Sequence, residues 1–166
     1  EKNYVERFYR LGIRGKNKGR MRGFPIPFRC IINSELKVAP IHKFYNSLDG
    51  DITQYVGIAA DEPKRLEKLV GSNKISLLDK YGYTEDMATE LCKEYGLYSP
   101  IYEFSKRNGC WFCGNCRKSE WKYLIDKHPE LFDRLLELEQ ADVAYKNITR
   151  DRTPSQVKEW IKGSES

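Results

Sequence analysis

The chain has 166 residues, 32% of them charged and 40% apolar, with a net charge of +5 and a mean hydropathy of −0.69. That length supports one domain with a real but thin core, part of which is expected to come from a partner or a further segment. No run approaches the ~20 consecutive apolar residues of a membrane helix and nothing at the start resembles a signal peptide, so the expectation is a protein of the cytoplasm with no membrane association.

Charge is unevenly placed: nine Lys or Arg and two Glu fall among residues 1–29. Such asymmetry suits an anionic partner for this segment. A short helix is predicted over residues 1–11, with Val5, Phe8, Tyr9 and Leu11 as its apolar stripe. The stretch from Arg14 to Gly23 follows. It mixes Arg14, Lys16, Lys18, Arg20 and Arg22 with glycines, so its backbone can approach phosphate while the side chains neutralise it; a solvated basic loop is the plainer reading. Phe24-Pro-Ile-Pro27 makes its exit extended.

A helix is predicted over about 36–48, with Pro40 in its first turn and Ile41, Phe44, Tyr45 and Leu48 as the buried face. Residues 54–59, Gln-Tyr-Val-Gly-Ile-Ala, read as a buried strand. Asp61-Glu62-Pro63 then opens a helix to about Val70, with acids where the helix dipole favours them. Strand, turn and helix make half of a β-α-β unit, and ligands of open α/β sheets sit at the carboxyl ends of strands, which singles out Ala60, Asp61 and Glu62. Further helices are predicted over about 85–95, capped by Thr84 and ended by Gly96, over about 118–126, from Pro129 with Leu131, Leu135, Leu136 and Leu138 inward, and over 154–161. Cys92 reads as a core position on the 85–95 helix.

The five cysteines are an odd number clustered at ligand spacing, which fits a reducing compartment where thiols bind metals. Cys110, Cys113 and Cys116 form a Cys-x2-Cys-x2-Cys run, and a fourth ligand from elsewhere completes a tetrathiolate site. Cys30 is the candidate. Such a site holds a [4Fe-4S] cluster or a structural zinc, and the spacing, shared with bacterial-type ferredoxins, favours the cluster. The plain alternative is a set of small buried thiols. Spacing supports the triplet, whereas only position supports Cys30. His128, before Pro129, reads as a helix-break residue and His42 as a surface position; either could replace Cys30 in a zinc site.

Arg29-Cys30, then Leu36-Lys37-Val38-Ala39-Pro40-Ile41, then Gln54 to Leu66, then Gly109-Cys110-Trp-Phe-Cys113 resemble, in matching order over residues 5–140, the 3′-phosphoadenosine 5′-phosphosulfate reductase family. Its phage and mobile-element members, within the adenine nucleotide alpha-hydrolase-like group, are the most similar. The resemblance implies a partial Rossmann-like parallel sheet over residues 1–100 and a helical, cysteine-rich part over 101–166. It also implies a bound adenine nucleotide of the phosphoadenosine type. In cluster-bearing relatives a Cys-Cys pair ahead of a Lys-x-x-Pro element joins a later Cys-x-x-Cys. Here Arg29 stands in place of one of the pair and Cys116 is extra, so the ligand set is expected to be rearranged.

Two features of the family are missing from this sequence: the phosphate-binding Ser-Gly-Gly-x-Asp-Ser loop and the nucleophilic Cys of a Glu-Cys-Gly segment. A preceding segment or partner chain is therefore expected to supply the loop, unless this protein never used one. On the enzyme reading, an oxidoreductase or sulfur-transfer site, Lys37, Arg65 and the basic residues Arg14, Lys16, Lys18 and Arg20 contact the anion, while Asp61 and Glu62 orient a ribose or metal. The competing reading is a nucleic-acid or protein interaction module, resting on cations interleaved with Tyr4, Phe8, Tyr9 and Phe24.

Overall fold

In the computed structural model, which describes residues 4–103, 105 and 109–163, helices punctuated by very short strands follow one another along the chain. In order they are α1 (Tyr4–Tyr9), a 3-10 turn (Gly15–Asn17), β1 (Met21–Gly23), α2 (Ile31–Asn33), a π turn (Ser34–Val38), α3 (Ala39–Tyr45) and β2 (Gln54–Val56). Next come α4 (Pro63–Leu66), a 3-10 turn (Glu67–Leu69), β3 (Lys74–Ser76), α5 (Leu77–Lys80) and α6 (Glu85–Glu94). A 3-10 turn (Pro100–Glu103), α7 (Lys118–Lys127), α8 (Pro129–Glu139), β4 (Val143–Tyr145) and α9 (Pro154–Lys162) complete the order. Residues 1–3 of the first expected helix lie outside the described residues.

This is a mixed helix–strand protein whose small sheets are parallel, as in the α/β class: β1 pairs with β4, and β2 with β3. The chain divides into two compact units, residues 1–42 with 101–166, and residues 43–100. The division differs from the boundary drawn at residue 100 from the sequence, because the first 42 residues cluster with the cysteine-bearing part.

The discontinuous unit holds most of the core. Phe8, Phe24, Trp121, Phe132, Leu135, Leu138, Val143, Ile148 and Val157 are fully buried there. Burial of each such side chain contributes on the order of 1.5–3 kcal/mol. On α1 the buried residues are Tyr4, Arg7 and Phe8, while Tyr9 and Leu11, expected inside, are exposed. On α8 the inward residues are Phe132, Leu135 and Leu138, with Leu131 and Leu136 half-buried at the margin. α9 starts with Thr153 and Pro154, where the Thr153 N–H donates to Gln156 Oε1 at 3.0 Å, and it buries Val157 and Ile161.

The β1–β4 pairing joins segments 122 residues apart at Met21 and Val143. Gly23 has φ +87°, and a Cβ there would overlap the Tyr145 carbonyl oxygen and the Val143 side chain. Only glycine permits both the left-handed backbone and that approach.

In the unit of residues 43–100, β2, α4 with its 3-10 turn, and β3 complete a parallel β-α-β unit, with Gln54, Tyr55 and Val56 opposite Lys74, Ile75 and Ser76. The strand expected over 54–59 is shorter and is not buried: Tyr55 is 67% exposed beside Ile75 at 43%. Two strands cannot cover their own faces. Burial comes just past the strand, at Ile58 and Ala59, where Ser76 Oγ donates to the Ile58 carbonyl at 2.5 Å. Thr84 caps α6 as expected, accepting from the Met87 N–H at 3.2 Å. Cys92, expected in the core, is exposed on this helix.

The helix expected over 36–48 begins five residues earlier and ends at Tyr45. Its expected buried face is exposed at Ile41, Phe44 and Leu48, and burial is at Ile32 in the first turn instead. Periodicity located an apolar stripe correctly but carried no information on what packs against it.

Candidate functional site

The cysteine segment folds as two successive turns, with the Cys113 N–H donating to the Cys110 carbonyl at 2.9 Å and the Cys116 N–H to the Cys113 carbonyl at 3.0 Å. Gly114 lies between the turns with no room for a Cβ, which would overlap the Ile148 carbonyl oxygen. This contact seats the segment against the loop after β4. Phe112 is buried and stacks on Tyr4, with centroids 3.6 Å apart and planes at 4°, and Trp111 meets Tyr4 edge-on at 5.7 Å. Tyr4 thereby ties α1 to the cysteine turns.

Cys30 is the residue ahead of α2, at φ −70° and ψ 100°, and accepts from the Ser34 N–H at 3.3 Å. It packs against the same core as Cys110 and Cys116. Burial pushes the Tyr4 phenol well up from its ordinary range, and the neighbouring Cys30 adds to the rise. Tyr4 is therefore near Cys30 as well as in contact with the rings of the cysteine segment. All five cysteines are thiols, not disulfides. Among the described residues no three His, Cys, Asp or Glu side chains stand close enough together to hold a metal ion. The donor chemistry nevertheless suits a thiophilic metal: partly buried thiols on turns, beside the buried Oδ1 of Asn115, which has no partner among the described residues.

Cys110 and Cys116 also line a largely apolar cavity of about 170 Å³ with Trp111, Glu120, Tyr123 and His128. Glu120 accepts from the Arg117 N–H at 2.7 Å and from Ser105 Oγ in a short hydrogen bond. His128 is the break between α7 and α8, as the sequence implied, and its Nδ1 lies 3.5 Å from Glu130 Oε1. The cavity brings His128 to the thiols' side of the unit, whereas His42 is exposed on α3. Glu120 and Tyr123 carry no motif, and only the fold reveals them as cavity walls.

The basic candidates sit on a hairpin-like loop, closed by the Gly12 N–H donating to the Arg20 carbonyl at 2.9 Å and the Gly19 N–H donating to the Gly12 carbonyl at 2.8 Å. Arg14, Lys16 and Lys18 are exposed near its tip. Arg20 instead fastens the loop to β4, with Nη2 3.4 Å from Asp142 Oδ1 and 3.3 Å from the Val143 carbonyl. Lys37 is exposed in the π turn.

Asp61, Glu62 and Arg65 belong to the other unit and are engaged locally. Glu62 accepts from Arg65 Nη1 at 2.6 and 2.8 Å and from the Ala59 N–H at 3.2 Å, which hold its carboxyl below the ordinary range. Asp61 Oδ1 accepts from the Glu85 N–H at 3.1 Å at the start of α6. Both acids thus bond near helix starts within their own unit.

No helix among the described residues is long and apolar enough to cross a membrane. No family model, curated protein or solved structure matches the chain.

Proposed function

We propose that the chain is a phosphoadenosine phosphosulfate reductase-like protein that binds an adenine nucleotide and holds a metal group through Cys30, Cys110, Cys113 and Cys116. The observation that carries this reading is the pair of cysteine turns, packed against the same core as Cys30. Successive turns supply three thiols from one short segment, and a fourth thiol from another element would complete a tetrathiolate site. A [4Fe-4S] cluster bound there would supply redox capacity, and zinc would supply a cross-link. The finer Rossmann-like assignment draws support from the parallel β2–α4–β3 unit.

No residue of this chain fits the role of the reductases' Glu-Cys-Gly nucleophile, so the proposed activity is binding, with any sulfur chemistry dependent on a further segment or partner. Anaerobically purified protein is expected to contain about four irons, the stoichiometry of a four-cysteine cubane. Cys30→Ser should lower the metal content and Cys92→Ser should leave it unchanged. Colourless protein with one zinc would retain the site but remove the cluster; metal-free protein, or loss on Cys92→Ser, would reject the ligand set.

The exposed cations Arg14, Lys16 and Lys18 favour a second reading, a nucleic-acid interaction module. Steep salt dependence of oligonucleotide binding supports that reading, and saturable binding of adenosine 3′,5′-bisphosphate supports the first.

A further inference from the structure

A second cavity, of about 190 Å³, opens at the carboxyl end of β1 and is lined by Arg7, Arg22 and Arg29 together with Phe24, Ile26 and Tyr145. Arg7 is only 5% exposed. Its Nε lies 2.7 Å from Glu35 Oε2 and its Nη2 donates to Glu35 Oε1 at 3.1 Å. Nη1 is buried with no partner among the described residues. A guanidinium with one edge neutralised and the other edge without an acceptor among the described residues is an incomplete pair, because a buried charged donor costs several kcal/mol unless something accepts from it.

Its neighbours do not supply that acceptor. Arg22 is half-buried and Arg29 exposed at the rim, and neither has a carboxylate partner among the described residues. Glu35, the single carboxylate at Arg7, also faces Arg10 at 3.5 Å. Burial first, and then the nearby Arg22 and Arg10, push the Arg7 guanidinium down, against the opposite pull of Glu35. Three cations around one cavity repel one another, and a bound anion would relieve the repulsion.

Two backbone turns shape the cavity's rim. Gly23 turns out of β1 in a left-handed conformation, and Phe28, at φ +64°, is the one non-glycine residue in that region among the described residues. The strained turn, closed by the Arg29 N–H donating to the Ile26 carbonyl at 3.2 Å, brings Arg29 back to the rim and leads into α2. Strain of this kind costs about 1–3 kcal/mol and persists where its surroundings over-determine it. Ile31 and Ile32 also line the cavity.

We infer that this cavity is an oxyanion site, taking the terminal phosphate or sulfate of a small monoester among Arg7, Arg22 and Arg29, with the carrier's carbon skeleton against Phe24, Ile26 and Tyr145. A monoester presents three terminal oxygens on one end and can push them inward to a buried donor. A phosphodiester in a polymer is substituted on both sides, which keeps it at the surface. The inference needs neither the metal nor the adenine of the proposed function and stands if either fails.

The test is calorimetric titration of the full chain with inorganic phosphate, sulfate and phenyl phosphate at constant ionic strength against chloride. Saturable binding is expected, with phenyl phosphate tighter than inorganic phosphate, and the phosphate-to-sulfate ratio reports which oxyanion the site prefers. Arg22→Gln and Arg29→Gln, neither of which holds Glu35, should each weaken binding about ten-fold or more, the scale of a charge-assisted hydrogen bond. Lys127→Gln, which removes the same charge from the exposed end of α7, should leave it unchanged. Equal weakening by Lys127→Gln would reduce the effect to net charge and overturn the site, as would an absence of binding above chloride. So would tight, salt-sensitive oligonucleotide binding without any phenyl phosphate binding.

Discussion

Replacing Gly114 with alanine tests the packing on which the cysteine turns depend. The added Cβ would overlap the Ile148 carbonyl oxygen and stand 3.0 Å from Pro27 Cγ and 3.2 Å from the Ile148 carbonyl carbon. The first and last of these atoms are backbone, and Ile148 is fully buried, so no flexible side chain can give way. Overpacking of this sort costs roughly 1–3 kcal/mol, and a backbone obstacle places the change at about 2–3 kcal/mol. With a urea slope near 2 kcal/mol per molar, the unfolding midpoint should fall by about 1–1.5 M. Gly57→Ala is the matched control: its Cβ meets nothing within 4 Å and its φ is outside the left-handed region. That substitution should stabilise by about 0.4–1 kcal/mol by restricting the unfolded chain. A Gly114→Ala protein within about 0.5 kcal/mol of the parent would refute the seating of the cysteine segment on Ile148.

Two further substitutions probe individual polar groups. The Tyr4 hydroxyl is buried without a partner among the described residues while its ring stacks on Phe112. Tyr4→Phe should therefore raise stability by about 1 kcal/mol in denaturant titrations, and a loss of similar size would mean that the hydroxyl is satisfied in solution. Glu62 is held below its ordinary pKa first by the Arg65 hydrogen bond and then by the Ala59 N–H. A lowered carboxylate contributes stability above its unfolded pKa of about 4.3 and loses it as pH falls through the folded value. Glu62→Gln should accordingly lower the melting temperature at pH 7 but not near pH 2, and a deficit of equal size at both would locate the effect outside the charge.

The helical parts were legible in the sequence because their signals are local. Thr84 before Glu85, Pro129 after His128 and Pro154 after Thr153 mark starts that the structure reproduces within a residue or two. The strands were not legible in the same way. Met21–Gly23 and Val143–Tyr145 are three residues each, too short for an alternating pattern, and each gains its identity only from a partner far along the chain. The cysteine turns could be read from spacing, and the basic bias of residues 1–29 was visible as composition. That Arg7 and Arg29, outside the glycine-rich loop, would join Arg22 around one cavity was not. Their meeting is made by the turn at Phe28 and by the burial of one face of α1, and neither has a sequence signature.

The discontinuous unit has a consequence for how the chain comes off the ribosome. Residues 43–100 form a contiguous unit that can organise once emerged, with its β2–β3 pairing only twenty residues apart in register. The N-terminal segment has no such autonomy, because β1 waits for β4, Tyr4 for Phe112 and Phe24 for the Tyr145 carbonyl. Pairings of that separation close late and slowly, since loop entropy must be overcome before the contacts form. Synthesis at about 5–20 residues per second leaves the arginine-rich start unpaired for several seconds at least. During that interval mutual repulsion among its cations opposes premature collapse, so the charges that later gather around one cavity also keep this segment open until its partners arrive.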